Sequence, residues 1–262
     1  MPESVRSALT VGLRICRLSG KDYRVASAGL AASSSVAIRT VFQVAFFTLL
    51  GQLAGGATGR AYAFVGAVVF APVAAVTSHV STVVTAEVPQ GTMYRLRLGN
   101  VPLLAVMLLR SWVYVAEGLA MSLVALVVLG PTLLGWRATA DVAAAYPLVL
   151  LTTMGCLCTG MLCCALVLLG LDEGMAVNFV GYLILLCGGV VVPVDPDGIL
   201  HLIGQALPLG AGLNAVRIGT TGQVWGAVAH EVAVAASWLL LTGVLLRYQA
   251  QRVRHGSAPE SV

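Results

Sequence analysis

An all-α membrane protein with six transmembrane helices is the fold class the sequence predicts, and three observations predict it. Only 10% of the residues are charged and 58% are hydrophobic, whereas a soluble domain carries about a quarter charged residues. Uncharged runs of bilayer-spanning length recur at 40–59, 61–86, 142–171 and 174–194. About 20 apolar residues cross a hydrocarbon core of about 30 Å. Inside that core each backbone N–H and C=O must find its partner within the protein, so the runs must be helical. The third observation is the sorting of basic residues into alternate connecting segments, argued below.

The elements follow in order. Residues 1–35 form a basic segment in which Val5, Leu9, Leu13 and Cys16 make a stripe at helical spacing beside Arg6, Arg14 and Arg17. That pattern predicts an amphipathic helix lying along the membrane surface. The opening Met1-Pro2-Glu3, with no short apolar run leading to a small-residue cleavage site, argues against a secretory signal. Spans are expected at 36–56, 61–84, 111–131, 143–169, 175–194 and 224–246. Gly51 and Gly55, four apart in the first, would either permit close helix approach or mark where that span loosens into the loop. A polar loop at 85–110 separates the second and third spans. The apolar stretch 198–216, within the segment 195–222, is interrupted by Pro208 and glycines. It suits a re-entrant pair of half-helices better than a crossing. The tail is 247–262. Nothing divides residues 1–262 into more than one domain.

Lys and Arg stay on the cytoplasmic side of a membrane protein. Arg6, Arg14, Arg17, Lys21, Arg24 and Arg39 lie before or at the start of the first span; Arg95, Arg97 and Arg110 follow the second; Arg247, Arg252 and Arg254 follow the last. These are twelve of the 15 basic residues, leaving Arg60, Arg137 and Arg217 for the other side. Both termini are therefore expected in the cytoplasm. Trp136, Tyr146 and Trp225 near the outer ends, with Trp112 and Tyr248 near the inner ones, suit an aromatic belt. The net charge of +4 then reflects topology and attraction to anionic lipid, and no nucleic-acid partner.

Missing chemistry narrows the function. The one lysine, Lys21, stands in Leu18-Ser19-Gly20-Lys21-Asp22, without the glycine pattern or the following Ser or Thr of a phosphate-binding loop. No zinc-protease or nucleophile-elbow motif occurs. Cys156, Cys158, Cys163 and Cys164 crowd one span and Cys187 the next, with no His or carboxylate beside them to complete a metal site. They read as small apolar packing residues. His79, His201 and His230 are scattered and read as satisfied or interfacial. The sequence therefore points to a protein that is no enzyme, with no catalytic residues, metal or cofactor of its own.

Charges inside the membrane are costly without a partner or water. Glu117 lies about two turns into the third span, with Arg110 seven residues earlier on the same face, and Glu231 lies in the last span. Each reads either as lining or gating a substrate path, or as an interhelical hydrogen bond fixing the bundle; for Glu231 the second reading is favoured.

Two segments carry a family resemblance. The first holds Glu87, Gly91, Thr92, Met93, Arg95, Leu96 and later Arg110; the second holds Gly189, Pro193, Leu207, Pro208 and Arg217. Their order and separation resemble the type-2 ABC transporter permeases, membrane subunits of ATP-driven exporters, whose length, six spans and surface helix also agree. Pro89 and Gln90 stand where that family commonly has charged residues. The resemblance implies that Glu87, Gly91, Thr92, Met93, Arg95, Leu96 and Arg97 belong to a coupling helix that docks on a separate nucleotide-binding ATPase subunit, which would hold the ATP and Mg. It implies a homodimer, or a heterodimer with a similar permease, in a bacterial cell membrane, and it places Pro193, Pro208 and Arg217 in an outer hairpin. The expected cargo is amphipathic or apolar: a drug, an antibiotic, another natural product or a lipid-linked molecule. Only 6% of residues are aromatic, fewer than a polysaccharide path would require. The competing class is an ion-gradient-driven secondary transporter with Glu117 as its proton site.

Overall fold

The computed structural model describes residues 3–26, 30–81, 83, 101–219 and 224–254. Among them nine helices occur: α1 Glu3–Ala26, α2 Leu30–Val80, α3 Leu103–Leu133, α4 Trp136–Ala144, α5 Tyr146–Leu168, α6 Glu173–Cys187, α7 Ile199–Ala206, α8 Gly210–Ile218 and α9 Val224–Arg254. The all-α class is as expected. The loop residues Glu87, Gly91, Thr92, Met93, Arg95, Leu96 and Arg97 lie outside the described residues.

Helix α2 is two arms joined at Gly55 and Gly56, whose backbones leave helical geometry (Gly56 at φ +61). A straight helix would hold Gly51 and Gly59 about 12 Å apart. Instead the two backbones touch: a Cβ on Gly51 would collide with the Gly59 carbonyl and the Ala63 side chain. Phe47 and Phe70 likewise meet across the arms, ring centroids 6.2 Å apart. The close approach is thus made by Gly51 with Gly59 inside one chain, and not by Gly51 and Gly55 as one face. Gly55 forms the turn and has nothing within 4 Å of its would-be Cβ.

Counted by length and composition, four helices can cross a bilayer: Ser35–Val80, Leu103–Leu133, Tyr146–Leu168 and Val224–Arg252. A fifth appears if the pair α7–α8, bent by 93°, is one broken span. The expected six is thus not reached by this measure: the two arms of α2, although broken at Gly55 and Gly56, count together as Ser35–Val80, and α6 has only 15 residues, about 22 Å of helix. Asp172 caps the start of α6 by accepting the Met175 N–H at 2.8 Å. Its end comes at Gly188, followed by Gly189 at φ +65, so the backbone is no longer helical well before residue 194.

Other boundaries shift too. Helix α3 begins at Leu103, so Arg110 lies inside it and the helix starts within the stretch assigned to the loop. The region 143–169 is split at Ala145 between α4 and α5. The last helix continues to Arg254.

The arms of α2 pack on α3 and α5. Val44, Phe64, Ala67, Val68 and Ala71 meet Ala125 and Leu126 of α3, and the Ser122 hydroxyl donates across to the Val68 carbonyl at 2.7 Å. Gly118 of α3 lies against Pro72, where an added Cβ would come within 3.0 Å of Pro72 Cα. Toward the ends that carry α1, Val76, Val80, Met107, Val115, Leu157, Met161 and Leu246 form a second core. A third joins Val69, Phe70 and Val73 to Val149, Ile184, Leu209 and Leu213 of α5, α6 and the bent pair. Buried hydroxyls stay neutral and satisfied: Thr48, Thr77, Ser111, Thr153 and Thr242 each donate to the carbonyl four residues back.

Candidate functional site

At one end of the bundle, α1 is fastened to the first turns of α3. The Ser19 hydroxyl donates to the Arg110 carbonyl at 2.8 Å, and the Trp112 indole N–H donates to the Cys16 carbonyl at 3.1 Å. The Cys16 thiol approaches the Leu109 carbonyl at 3.6 Å. A turn further on, Tyr23 lies beside Glu117, and burial together with that carboxylate raises the pKa of the Tyr23 phenol above its ordinary value. Tyr23 meets Tyr114 edge-on at 6.0 Å. His79, at the end of the second α2 arm, stacks on the other side of this group, 5.5 Å from the Tyr114 ring. The half-buried Glu117 thus lies at the joint between α1 and α3.

The face docked on α3 is distinct from the stripe expected to meet the membrane: of that stripe's members whose side chains are described, Cys16 turns to α3 and Leu13 is 60% exposed. Ser19, Gly20 and Tyr23 take the inner positions, because small residues let α1 lie close to Trp112 and Tyr23 supplies the long polar reach. The spacing Cys16, Ser19, Gly20, Tyr23 was the signal in the sequence for this face.

At the hairpin, the break between α7 and α8 leaves unpaired backbone groups on both sides, which the apolar surroundings would penalise. Helix α9 satisfies one on each side. The Glu231 carboxylate, 1% exposed, accepts the Gly212 N–H in the first turn of α8 at 3.0 Å. The Trp238 indole donates to the Ala206 carbonyl, which ends α7, at 2.7 Å. From α5, the Cys156 thiol reaches the Pro208 carbonyl at 3.0 Å. Leu209, between the half-helices, adopts φ 146, a strained value for a residue with a side chain. Glu231 therefore does for α8 what a polar N-cap would do, at a position where Leu209 offers only carbon.

Arg217, at the far end of α8, makes the third knot. Its guanidinium lies over the Tyr62 ring, 3.4 Å from the centroid, and donates to the carbonyls of Tyr62 (3.2 Å), Gly189 (3.0 Å) and Val190 (3.3 Å). The cation is thus held by a π face and by the carbonyls past the end of α6. Gly66 makes room: a Cβ there would strike the Val190 carbonyl.

Of the residues singled out in the sequence, Glu117 and Arg110 lie on α3 at the α1 joint, while Glu231, Pro208 and Arg217 share the hairpin region. Pro193 is exposed in the chain after α6. Glu117 and Glu231 thus serve different elements. Tyr23, Tyr62 and Trp238 were not anticipated; aromatic residues near span ends read from sequence as belt residues, with no sign of a specific hydrogen bond. The cysteines are free thiols, and no metal-holding cluster of His, Cys, Asp or Glu occurs among the described residues.

The family model described as ABC-2 type transporter matches residues 24–221, from the end of α1 through the bent hairpin. No curated protein and no solved structure matches the chain. Matched over most of its length, and built of apolar helices with a broken hairpin before the last one, the chain belongs to the ABC-2 type transporter membrane family, whose members are multi-pass transport permeases.

Proposed function

We propose that the chain is the membrane half of an ATP-driven exporter that works as a dimer and carries an amphipathic or apolar cargo out of a bacterial cell. The observation that carries this reading is the family match over residues 24–221, which spans the basic loop and the hairpin together. Six crossings are proposed: the two arms of α2, then α3, α5, α6 with its continuation to residue 194, and α9. Both termini and the loop 84–100 lie in the cytoplasm on this reading, by the distribution of Arg and Lys.

The loop between α2 and α3 is the docking element for the ATPase subunit, which binds ATP and Mg. Glu87, Gly91, Thr92, Met93, Arg95, Leu96 and Arg97 form the contact, with Arg95 and Arg97 facing an acidic groove. Closure of the ATPase pair would push this loop, tilt α2 and α3, and open the seam between two permeases outward. The chain provides a conformational gate and no bond chemistry. Arg110, Glu117 and Glu231 act in this scheme by fixing the elements that move, and Pro193, Pro208 and Arg217 by shaping the outer hairpin.

Reconstitution in vesicles tests it. The chain alone should neither hydrolyse ATP nor move cargo, and both activities should appear on adding the nucleotide-binding subunit. Arg95→Ala should lower transport while leaving assembly of the bundle intact. Transport by the lone chain, abolished by collapsing a proton gradient and by Glu117→Gln, would establish the ion-driven carrier instead.

A further inference from the structure

Helix α9 runs for 31 residues, Val224–Arg254, yet it is seated on the rest of the chain by one narrow stripe. Of its described side chains only Glu231, Thr242, Leu246 and Gln249 are buried, with Trp238 half-buried among them. Positions 231, 238, 242, 246 and 249 fall on one face of a helix. Leu246 is the one apolar member of the buried four. Thr242 uses its hydroxyl within its own helix, donating to the Trp238 carbonyl at 2.9 Å. Glu231, Trp238 and Gln249 bond to other elements. A helix with so little apolar seating is positioned by its polar bonds.

Gln249, 7% exposed, donates from Nε2 to the Leu168 carbonyl at 2.9 Å. Leu168 is the last residue of α5, and the final four carbonyls of a helix have no partner within it. Gln249 thus does at one end of the bundle what Trp238 and Glu231 do at the other: it satisfies a helix terminus from the side. The rise from Glu231 to Gln249 is about 27 Å of straight helix, close to the thickness of a hydrocarbon core. Other elements meet at the same end of α5. The Cys164 thiol approaches the Val80 carbonyl, which ends the second α2 arm, at 3.3 Å. The Cys163 thiol approaches the Ala176 carbonyl in the first turn of α6 at 3.8 Å.

We propose that α9 is a rod clasped near both ends, which couples the seating of the hairpin to that of the α5 terminus, with Gln249 as the positioning residue of the second clasp. A hydrogen bond weakens steeply when its donor is displaced or turned. A rod on so narrow a seam rocks when one clasp opens, and the rocking carries the far side chains off their backbone partners. The Gly212 N–H and the Ala206 carbonyl therefore respond to a residue at the opposite end of the bundle. The inference goes beyond the exporter reading and is tested on the chain alone, without an ATPase.

The experiment is amide hydrogen exchange of the full chain in phosphatidylcholine nanodiscs, read in two segments, 166–172 at the α5 terminus and 204–214 at the hairpin break. Gln249→Met keeps the length of the side chain and removes the donor. It should speed exchange by about five- to tenfold in both segments, the loss of one hydrogen bond expressed as local opening. Coupling is reciprocal, so Trp238→Phe should speed both segments from the other end. Gly170→Ala is the control. It places a side chain at φ +104 with nothing within 4 Å, so it strains the turn after α5 without touching α9 and should speed 166–172 alone. Unchanged exchange of 204–214 in Gln249→Met would overturn the coupling. Equal speeding of 204–214 by Gly170→Ala would overturn the role of α9, since the effect would then travel through α5. Should Gln249→Met fail to fold, Trp238→Phe decides: unchanged exchange of 166–172 in that variant overturns the proposal.

Discussion

Glu231 and Trp238 stand seven residues apart on one face of α9 and hold opposite sides of a single helix break. The carboxylate takes the Gly212 N–H that opens α8, and the indole gives its N–H to the Ala206 carbonyl that closes α7. One straight helix thereby satisfies a backbone that turns by 93°.

Removing either grip should loosen the hairpin. Glu231→Leu leaves the Gly212 N–H without an acceptor, a loss of about 1–3 kcal/mol, or a fall in melting temperature of about 2–10 °C for a chain of this size. Glu231→Gln keeps an acceptor and should stay within about 1 kcal/mol of wild type. Trp238→Phe should resemble Glu231→Leu, and the double variant should depart from additivity because both residues hold the same element. Thermal unfolding in detergent, followed by circular dichroism, checks all four.

Arg217 should tolerate no conservative exchange. Lysine carries the charge but cannot lie flat on Tyr62 while donating to carbonyls on two elements. Arg217→Lys and Tyr62→Leu should each lower stability by about 1–3 kcal/mol. Each should also speed proteolysis of the outer segment 188–198 in intact vesicles, measured by mass spectrometry.

The turn of α2 should show opposite responses within five residues. Gly51→Val and Gly59→Val drive side chains into the facing backbone and should cost about 3 kcal/mol or more, by overpacking where neither arm can yield. Gly55→Ala has open space and negative φ and should change stability by less than about 1 kcal/mol. Yield of folded protein by fluorescence-detected gel filtration separates the two classes.

The thiols should divide by burial. Cys156, Cys163, Cys164 and Cys187 are buried, and Cys16 and Cys158 are half-buried. In the native protein a maleimide should label the first four at least about tenfold more slowly than after denaturation, since reagent access requires local opening. Added zinc should leave the melting temperature unchanged; a rise would mean that the cysteines bind metal.

Much of this architecture is legible in the sequence because lipid imposes a coarse rule. Runs such as 61–86 have to be helical, and Pro208 among glycines has to break one. The family resemblance was legible because the loop and hairpin signals occur in the right order. What escaped is the pairing of particular side chains. Glu231 and Trp238 declare themselves polar and seven apart, but nothing local states that their partners are backbone groups about 20 and 30 residues earlier. The docking of α1 on α3 escaped for a related reason: Ser19 and Gly20 carry no hydrophobic signal, yet packing against Trp112 selects small size and hydrogen-bonding reach. The α6 boundary was misplaced because Gly188 and Gly189 end a helix whose apolar composition continues to Val194.

The bare-backbone contact of Gly51 with Gly59 has a mechanical corollary. With no side chains between them the two arms of α2 lie as near as main chains can, and any side chain added at either glycine acts as a wedge that pries the tines of this fork apart.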